Sequence, residues 1–348
     1  MRRATVLILA LALLSGCSSM LEREYVSVTA HVNQTVLADD PSILRAENYQ
    51  GLVNGVLYFV SQGMESGTIR LTKYTGDPET DLAAVCAEVR EEDPLGAYAL
   101  EGIEYTYSLI VSYYECSFSF SYRRTAEQLE RLRTVSGSSA IREELEQALL
   151  TYQPEVALRI SSYYAKEDTL RALLDEAYRE LGLAALGMPQ AELTLYPQEG
   201  GGTQRIAELT FSYDLSQPEL SRQYQANLQQ AGSLTGREYT SQSDAALSFA
   251  QAMSYDPEGP SSTYAALWDA GADSLGVALA YQAVCRQYGL TCQVVDGTKD
   301  DQPYHWNIVQ ADGVYRHVDV AAPEPALLAD SQMEGYEWDA DSCPPCPD

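Results

Sequence analysis

Leu170, Leu173, Leu174, Ala177 and Leu181 recur at helical spacing and form one apolar stripe. On either side of that stripe the period drops to two. "ALRIS" precedes it and "LTFSY" follows it, and elsewhere Tyr105 and Tyr107, then Phe118, Phe120 and Tyr122, alternate with small polar residues as half-buried strands do. The order strand, helix, strand, strand occurs twice. One segment runs from "TIRLTKY" to "FSFSY", the other from "ALRISSYY" to "LTFSY". Arg70 to Tyr122 spans 52 positions and Arg159 to Tyr213 spans 54, so the pattern reads as two copies of one unit. The tyrosine stripes read as packing faces of sheets in preference to platforms for sugars.

Between the copies, Thr125-Ala126-Glu127-Gln128 carries the residues of a capping box and predicts a helical spacer. "YPQEGGGTQR" has strand-type residues on both sides and predicts a hairpin loop; a phosphate cradle would need a helix directly after it. A polar stretch from Ser216 leads into "SDAALSFAQAMSYD", a helix with its cap expected at Ser243 or Asp244. The expected architecture is α+β: a leader over 1–16, a tether over 18–40, repeat units over 41–124 and 145–215 with the spacer 125–144 between them, and a C-terminal domain over 216–348.

Arg2 and Arg3 followed by the apolar run from Ala4 to Leu14 form an export leader. At 11 residues that run is shorter than the roughly 20 a spanning helix needs. Leu14-Ser15-Gly16-Cys17 resembles the bacterial lipoprotein signal, which implies cleavage before Cys17, lipidation of that cysteine, and an envelope location facing away from the cytoplasm. With 50 acidic against 22 basic residues the net charge is −28, which excludes nucleic acid as a partner and disfavours anionic membrane surfaces.

Of seven cysteines, Cys17 is assigned to lipid, leaving Cys86, Cys116, Cys285, Cys292, Cys343 and Cys346. An even number in an exported chain permits disulfides, though six thiols allow fifteen pairings. Cys86 with Cys116, and Cys343 or Cys346 with Cys292, are the expected pairs. "CPPC" lacks the helix that follows a redox motif and reads as structural. The histidines are His31, His305 and His317; none has zinc-ligand spacing from a cysteine pair, so neither metal nor cofactor is expected.

"TYAALWDAGADSLGVALAYQAVCRQYGL", "CQVVDGTKDDQPYHWNIVQADGVYRHVDV" and "GYEWDADSCPPC" together resemble the bacterial transglutaminase-like domain, a papain-type α+β fold. The resemblance implies a cysteine nucleophile at the start of a central helix, a histidine base on a following strand and an aspartate on the next, and the cysteine and histidine positions are both substituted here. Ser274 stands at the nucleophile position, with Gly276, Ala278 and Tyr281 at the matching helix positions. Trp306 and Asn307 fall in register, which puts Tyr304 at the base position and Asp319 at the acid position. By strand alternation His305 is then expected to face away from Ser274. Asp273, Val277 and Ala270 are further departures close to the nucleophile. A serine needs a placed base to react, so the leading reading is a relic: a surface-anchored, non-catalytic module that binds peptide or cell-wall material. The alternative is a hydrolase or acyl transferase using Ser274, His305 and Asp319. A third is a structural spacer built on the repeats.

Overall fold

The computed structural model describes residues 36–37, 40–199, 202–268 and 271–348. The leader, Cys17, His31, Ala270 and nearly all of the tether lie outside the described residues. The protein is mixed α+β, with three sheets among the described residues, and it divides into two compact units. The first comprises Met1–Ile141 in its described part, Val156–Leu170 and Leu193–Leu209; the second comprises Arg142–Glu155, Arg171–Glu192 and Thr210–Asp348.

The chain enters through β1 (Val36–Leu37), β2 (Asp40–Ala46), α1 (Tyr49–Ser61) and β3 (Ser66–Leu71). Then come α2 (Pro78–Glu91), α3 (Pro94–Ala99), β4 (Leu100–Ile110) and β5 (Tyr113–Tyr122). These strands lie in the order β1-β2-β3-β5-β4, with β2 parallel to β3 and β5 antiparallel to both its neighbours. Helices α2 and α3 each start at an aspartate cap followed by proline, Asp77-Pro78 and Asp93-Pro94, where the missing N–H costs nothing and the carboxylate accepts orphan amides. Leu52, Val56 and Phe59 of α1 and Leu82 and Val85 of α2 are buried with Ile69, Phe118 and Cys116 of the sheet. Each such side chain contributes about 1.5–3 kcal/mol relative to exposure.

A short α4 (Ala126–Arg131) follows, and Thr125 and Gln128 close the capping box at its start. Next are β6 (Arg133–Thr134), α5 (Ser138–Leu150), β7 (Glu155–Ser161), α6 (Glu167–Glu180), β8 (Gln190–Tyr196) and β9 (Gln204–Ser212). The second sheet has the order β6-β7-β9-β8, with β6 parallel to β7 as β2 is to β3. Of the stripe read from spacing, Leu170, Leu173, Leu174 and Ala177 are buried and Leu181, just past the end of α6, is half-buried.

The remaining elements are α7 (Gln217–Thr235), α8 (Gln242–Gln251), α9 (Thr263–Leu267), α10 (Ser274–Tyr288), β10 (Cys292–Lys299), β11 (Gln302–Ala311), β12 (Val314–Val318) and β13 (Tyr336–Trp338). The last four strands form an antiparallel sheet, β12-β11-β10-β13. The cap of α8 is Ser241, two residues before the earlier of the expected positions, and Asp244 turns back to accept from the Thr240 amide at 2.9 Å. Helix α10 packs in a core with Phe249, Ala266, Val277, Tyr281, Val284, Val309 and Val318. It stops at Gly289, whose φ of +94° suits glycine, and the Leu290 amide closes on the Cys285 carbonyl at 2.9 Å.

The expected disulfides are not formed. Cys86, Cys116, Cys285, Cys292, Cys343 and Cys346 are all free thiols. Cys346 packs beside Trp306 and Met333, whereas Cys292 belongs to the core around α10. Burial pushes the Cys86 thiol up to about 11 and the Cys116 thiol up to about 12. No described helix is long and apolar enough to cross a membrane.

Candidate functional site

Helix α10 opens at Asp273, whose carboxylate accepts from the Gly276 amide at 2.8 Å and from the Ser261 hydroxyl. Asp273, read from sequence as a departure close to the nucleophile, is therefore the helix cap. Gly276 permits the close approach that seats this end: a Cβ there would lie 2.7 Å from the Ser262 amide nitrogen and 2.8 Å from the Ala272 Cβ. Ser274 is the first helical residue, so its hydroxyl stands at the positive end of the helix dipole.

The hairpin of β10 and β11 turns through Asp300 and Asp301, both at positive φ, and pairs Lys299 with Gln302. Counting back from that turn sets Asp296 directly opposite His305, and Gly297 opposite Tyr304. Directly opposed residues share a face of the sheet. Asn307, two residues beyond His305 on the same face, donates to the Ala278 carbonyl of α10 at 3.0 Å, which identifies that face as the one toward the helix.

His305 consequently faces Ser274, correcting the expectation that it points away. Its Nδ1 lies 3.2 Å from Ser274 Oγ, and its Nε2 lies 3.2 Å from Asp296 Oδ1. Alternation along the strand is obeyed; the face is the reverse of the one inferred, because Trp306 and Tyr304 turn to the other side. There Trp306 is fully buried among Val295, Ile308 and Met333, and its ring meets Tyr336 and Trp338 edge-on.

With the Nε2 proton directed at Asp296, Nδ1 is left as the acceptor for the serine hydroxyl. Asp296 is held near a pKa of about 2 by its hydrogen bond to His305 and by Arg179, which donates to the same Oδ1 at 2.6 Å. His305 is about a quarter exposed and Asp296 mostly exposed, so the relay lies at the surface.

Asp319, the acid of the alternative reading, is committed elsewhere. It is 3% exposed and accepts from Tyr304 Oη at 3.0 Å, Tyr336 Oη at 2.5 Å and the Ala321 amide at 3.1 Å, while pairing with Lys299 Nζ at 2.7 Å. The Lys299 ammonium also lies about 5 Å from the Tyr304 and Tyr336 ring centres, a cation–π contact. Burial first, then the Asp319 carboxylate, raises the Tyr304 phenol, and the same causes push Tyr336 up to about 12. Of the residues singled out from sequence, the structure thus joins Ser274 to His305 and Tyr304 to Asp319. Asp296 and Arg179 were missed. The Asp-Asp turn could have located Asp296, because it fixes the pairing with His305 by counting alone.

His317 is fully buried between two partners. Trp306 Nε1 donates to its Nδ1 at 2.9 Å, and Nε2 sits 2.9 Å from Asp330 Oδ1. Cys346 completes a cluster of three ligand-type atoms within 4.8 Å. The Trp306 donation fixes the tautomer with the proton on Nε2, so that nitrogen donates to Asp330, whose other oxygen accepts from the Cys346 amide at 3.0 Å.

No protein-family model matches the sequence, and no curated protein does. Among solved structures, the chain is similar to a crystal structure of a TGase with a TM-score of 0.27 and 15% identity, covering 49% of this chain and 51% of that one. The match therefore spans about half of the TGase chain.

Proposed function

We propose that the C-terminal part of this protein carries a serine-based acyl-transfer site in which Ser274 is the nucleophile, His305 the general base and Asp296 the residue that orients the imidazole. The observation that carries this reading is the continuous contact Ser274 Oγ, His305 Nδ1, His305 Nε2, Asp296 Oδ1, with both gaps at 3.2 Å. That separation is at the outer edge of general-base reach, as is common without substrate. In the reaction, Ser274 Oγ attacks a carbonyl carbon while its proton passes to His305 Nδ1. The carbonyl bond to the leaving group then breaks, His305 returns the proton to that group, and the acyl group remains on Ser274 until water or an amine takes it. The amides at the start of α10 that precede Gly276, which itself donates to Asp273, supply donors for the developing oxyanion.

In this reading the enzyme departs from the transglutaminase-like pattern that its sequence resembles: the base has moved one residue, from position 304 to 305, and the acid from Asp319, just past β12, to Asp296 on the hairpin partner of β11. A shared strand order, β2-β3-β5-β4 and β6-β7-β9-β8, supports reading the preceding segments as two copies of one unit.

A non-catalytic binding module is the second reading, favoured by Arg179, which shares the oxygen that His305 needs. Burst kinetics on p-nitrophenyl acetate separate the two. The acyl-transfer reading requires a burst equal to the enzyme concentration that disappears in Ser274→Ala and falls about 100-fold or more in rate in His305→Gln. Turnover unchanged in both variants contradicts it.

A further inference from the structure

The hairpin of β4 and β5 ends in apolar side chains that nothing in its own unit covers. Val111 is 98% exposed, Leu109 61%, Tyr107 40% and Ile110 38%. Leu109 and Tyr107 continue the face on which Phe118 and Cys116 are buried, so this is a core-type stripe running on past its core. Val111 also holds a φ of +52°, a left-handed conformation that a β-branched residue adopts at a cost of about 1–3 kcal/mol and that glycine would adopt freely. A strained valine at the most exposed point of a turn implies that its side chain is used.

The residues fall in layers. Leu109, Ile110 and Val111 form the tip, Tyr114 and Tyr113 stand opposite Leu109 and Ile110, Tyr107 follows one step behind Glu115, and no charged residue occurs from 105 to 114. The first charges are Glu104 and Glu115, and Glu115 is paired with Arg70 at 2.9 Å while the Arg70 guanidinium lies over the Tyr113 ring. From Ser112 to Glu115 is about 10 Å of extended strand. An aliphatic tip flanked by Tyr113 and Tyr114, with the first charge about 10 Å behind the turn, matches the depth profile of a bilayer interface, where aromatic rings sit at headgroup level and apolar groups reach just below. A protein partner would not require such layering along one axis.

We infer that this hairpin tip dips into the outer layer of a lipid bilayer with zwitterionic headgroups. A charge-free tip on a chain of net charge −28 complements a neutral surface and not an anionic one. The contact is independent of the serine site.

The test uses full-length protein carrying Ser112→Trp, mixed with phosphatidylcholine vesicles whose acyl chains bear doxyl quenchers. The native tryptophans, Trp268, Trp306 and Trp338, lie outside the hairpin and set the baseline. The expected result is a blue-shifted emission from the introduced indole, quenched by the doxyl lipid beyond the baseline. Adding Leu109→Asp should abolish that increment. Adding Val111→Gly, which suits the local backbone and preserves the fold, should weaken it several-fold. Protein that stays in solution, an indole that remains water-exposed in vesicle-bound protein, or an increment that survives Leu109→Asp overturns the inference. A blue shift that grows with protein concentration in the absence of lipid overturns it in favour of a second copy of this chain.

Discussion

Replacing Asp319 with alanine separates structural from catalytic carboxylates in the C-terminal sheet. The side chain is 3% exposed and satisfies two phenols, one amide and one ammonium. Its removal strands the Tyr304 and Tyr336 hydroxyls, and a buried donor left without an acceptor costs about 1–3 kcal/mol. Lys299 is about a third exposed and turns to water, so the 3–5 kcal/mol typical of a broken, fully buried ion pair overstates its share. The sum is about 3–4 kcal/mol, which for a unit of this size lowers the midpoint of thermal unfolding by roughly 10 °C. Urea unfolding followed by tryptophan emission reads the loss directly, since Trp306 and Trp338 pack in the same cluster. Asp296→Ala is the contrasting perturbation: its carboxylate is mostly exposed, and the change should cost no more than about 1 kcal/mol. Ester turnover should fall in Asp296→Ala and survive in folded Asp319→Asn. Asp319→Ala with unchanged stability and abolished turnover would refute the assignment and return the acid role to Asp319.

Gly276→Ala should destabilise by about 1–3 kcal/mol, as overpacking does, because the new methyl meets backbone at 2.7 Å; a urea midpoint within error of wild type would contradict the packing described. Burial lowers the His317 pKa from its ordinary 6.5 even though Asp330 opposes the shift, so folding favours the neutral ring. Its contribution is then present above pH 6.5 and is lost as pH falls through the folded value, and His317→Gln should flatten the acid side of a stability profile measured between pH 7 and 4. Cys17→Ala should move the protein from the membrane fraction to the soluble one, as read by fractionation.

Periodicity was enough to read the helix through Leu170 and Ala177, the strands around Phe118 and Phe211, and the Thr125 capping box, because each depends on neighbours in sequence. The start of α8 was misplaced by two residues, since Ser241, Ser243 and Asp244 are all good caps and only tertiary packing selects among them. At the site, Ser274 was legible through the family resemblance as the start of a helix, but its cap was not, because Asp273 was read only as a departure beside it. The face of β11 was not, because Tyr304 and His305 are adjacent and a one-residue change of face leaves the local pattern unaltered. Asp296 stayed hidden for a related reason: it belongs to the site through cross-strand pairing, which only the Asp300-Asp301 turn encodes. Arg179 comes from α6, more than a hundred residues away in sequence, and no local signal connects it to Asp296.

The central claim is that Ser274 is a nucleophile activated by His305. A fluorophosphonate forms a bond from the serine oxygen to phosphorus with loss of fluoride, and it reacts only with hydroxyls that have a base in place. Incubating the full-length protein with such a reagent and mapping the adduct by mass spectrometry should find it on Ser274 in wild type, strongly slowed in His305→Gln and absent in Ser274→Ala. No adduct on Ser274 in folded wild-type protein, or labelling at an equal rate with and without His305, would contradict the account.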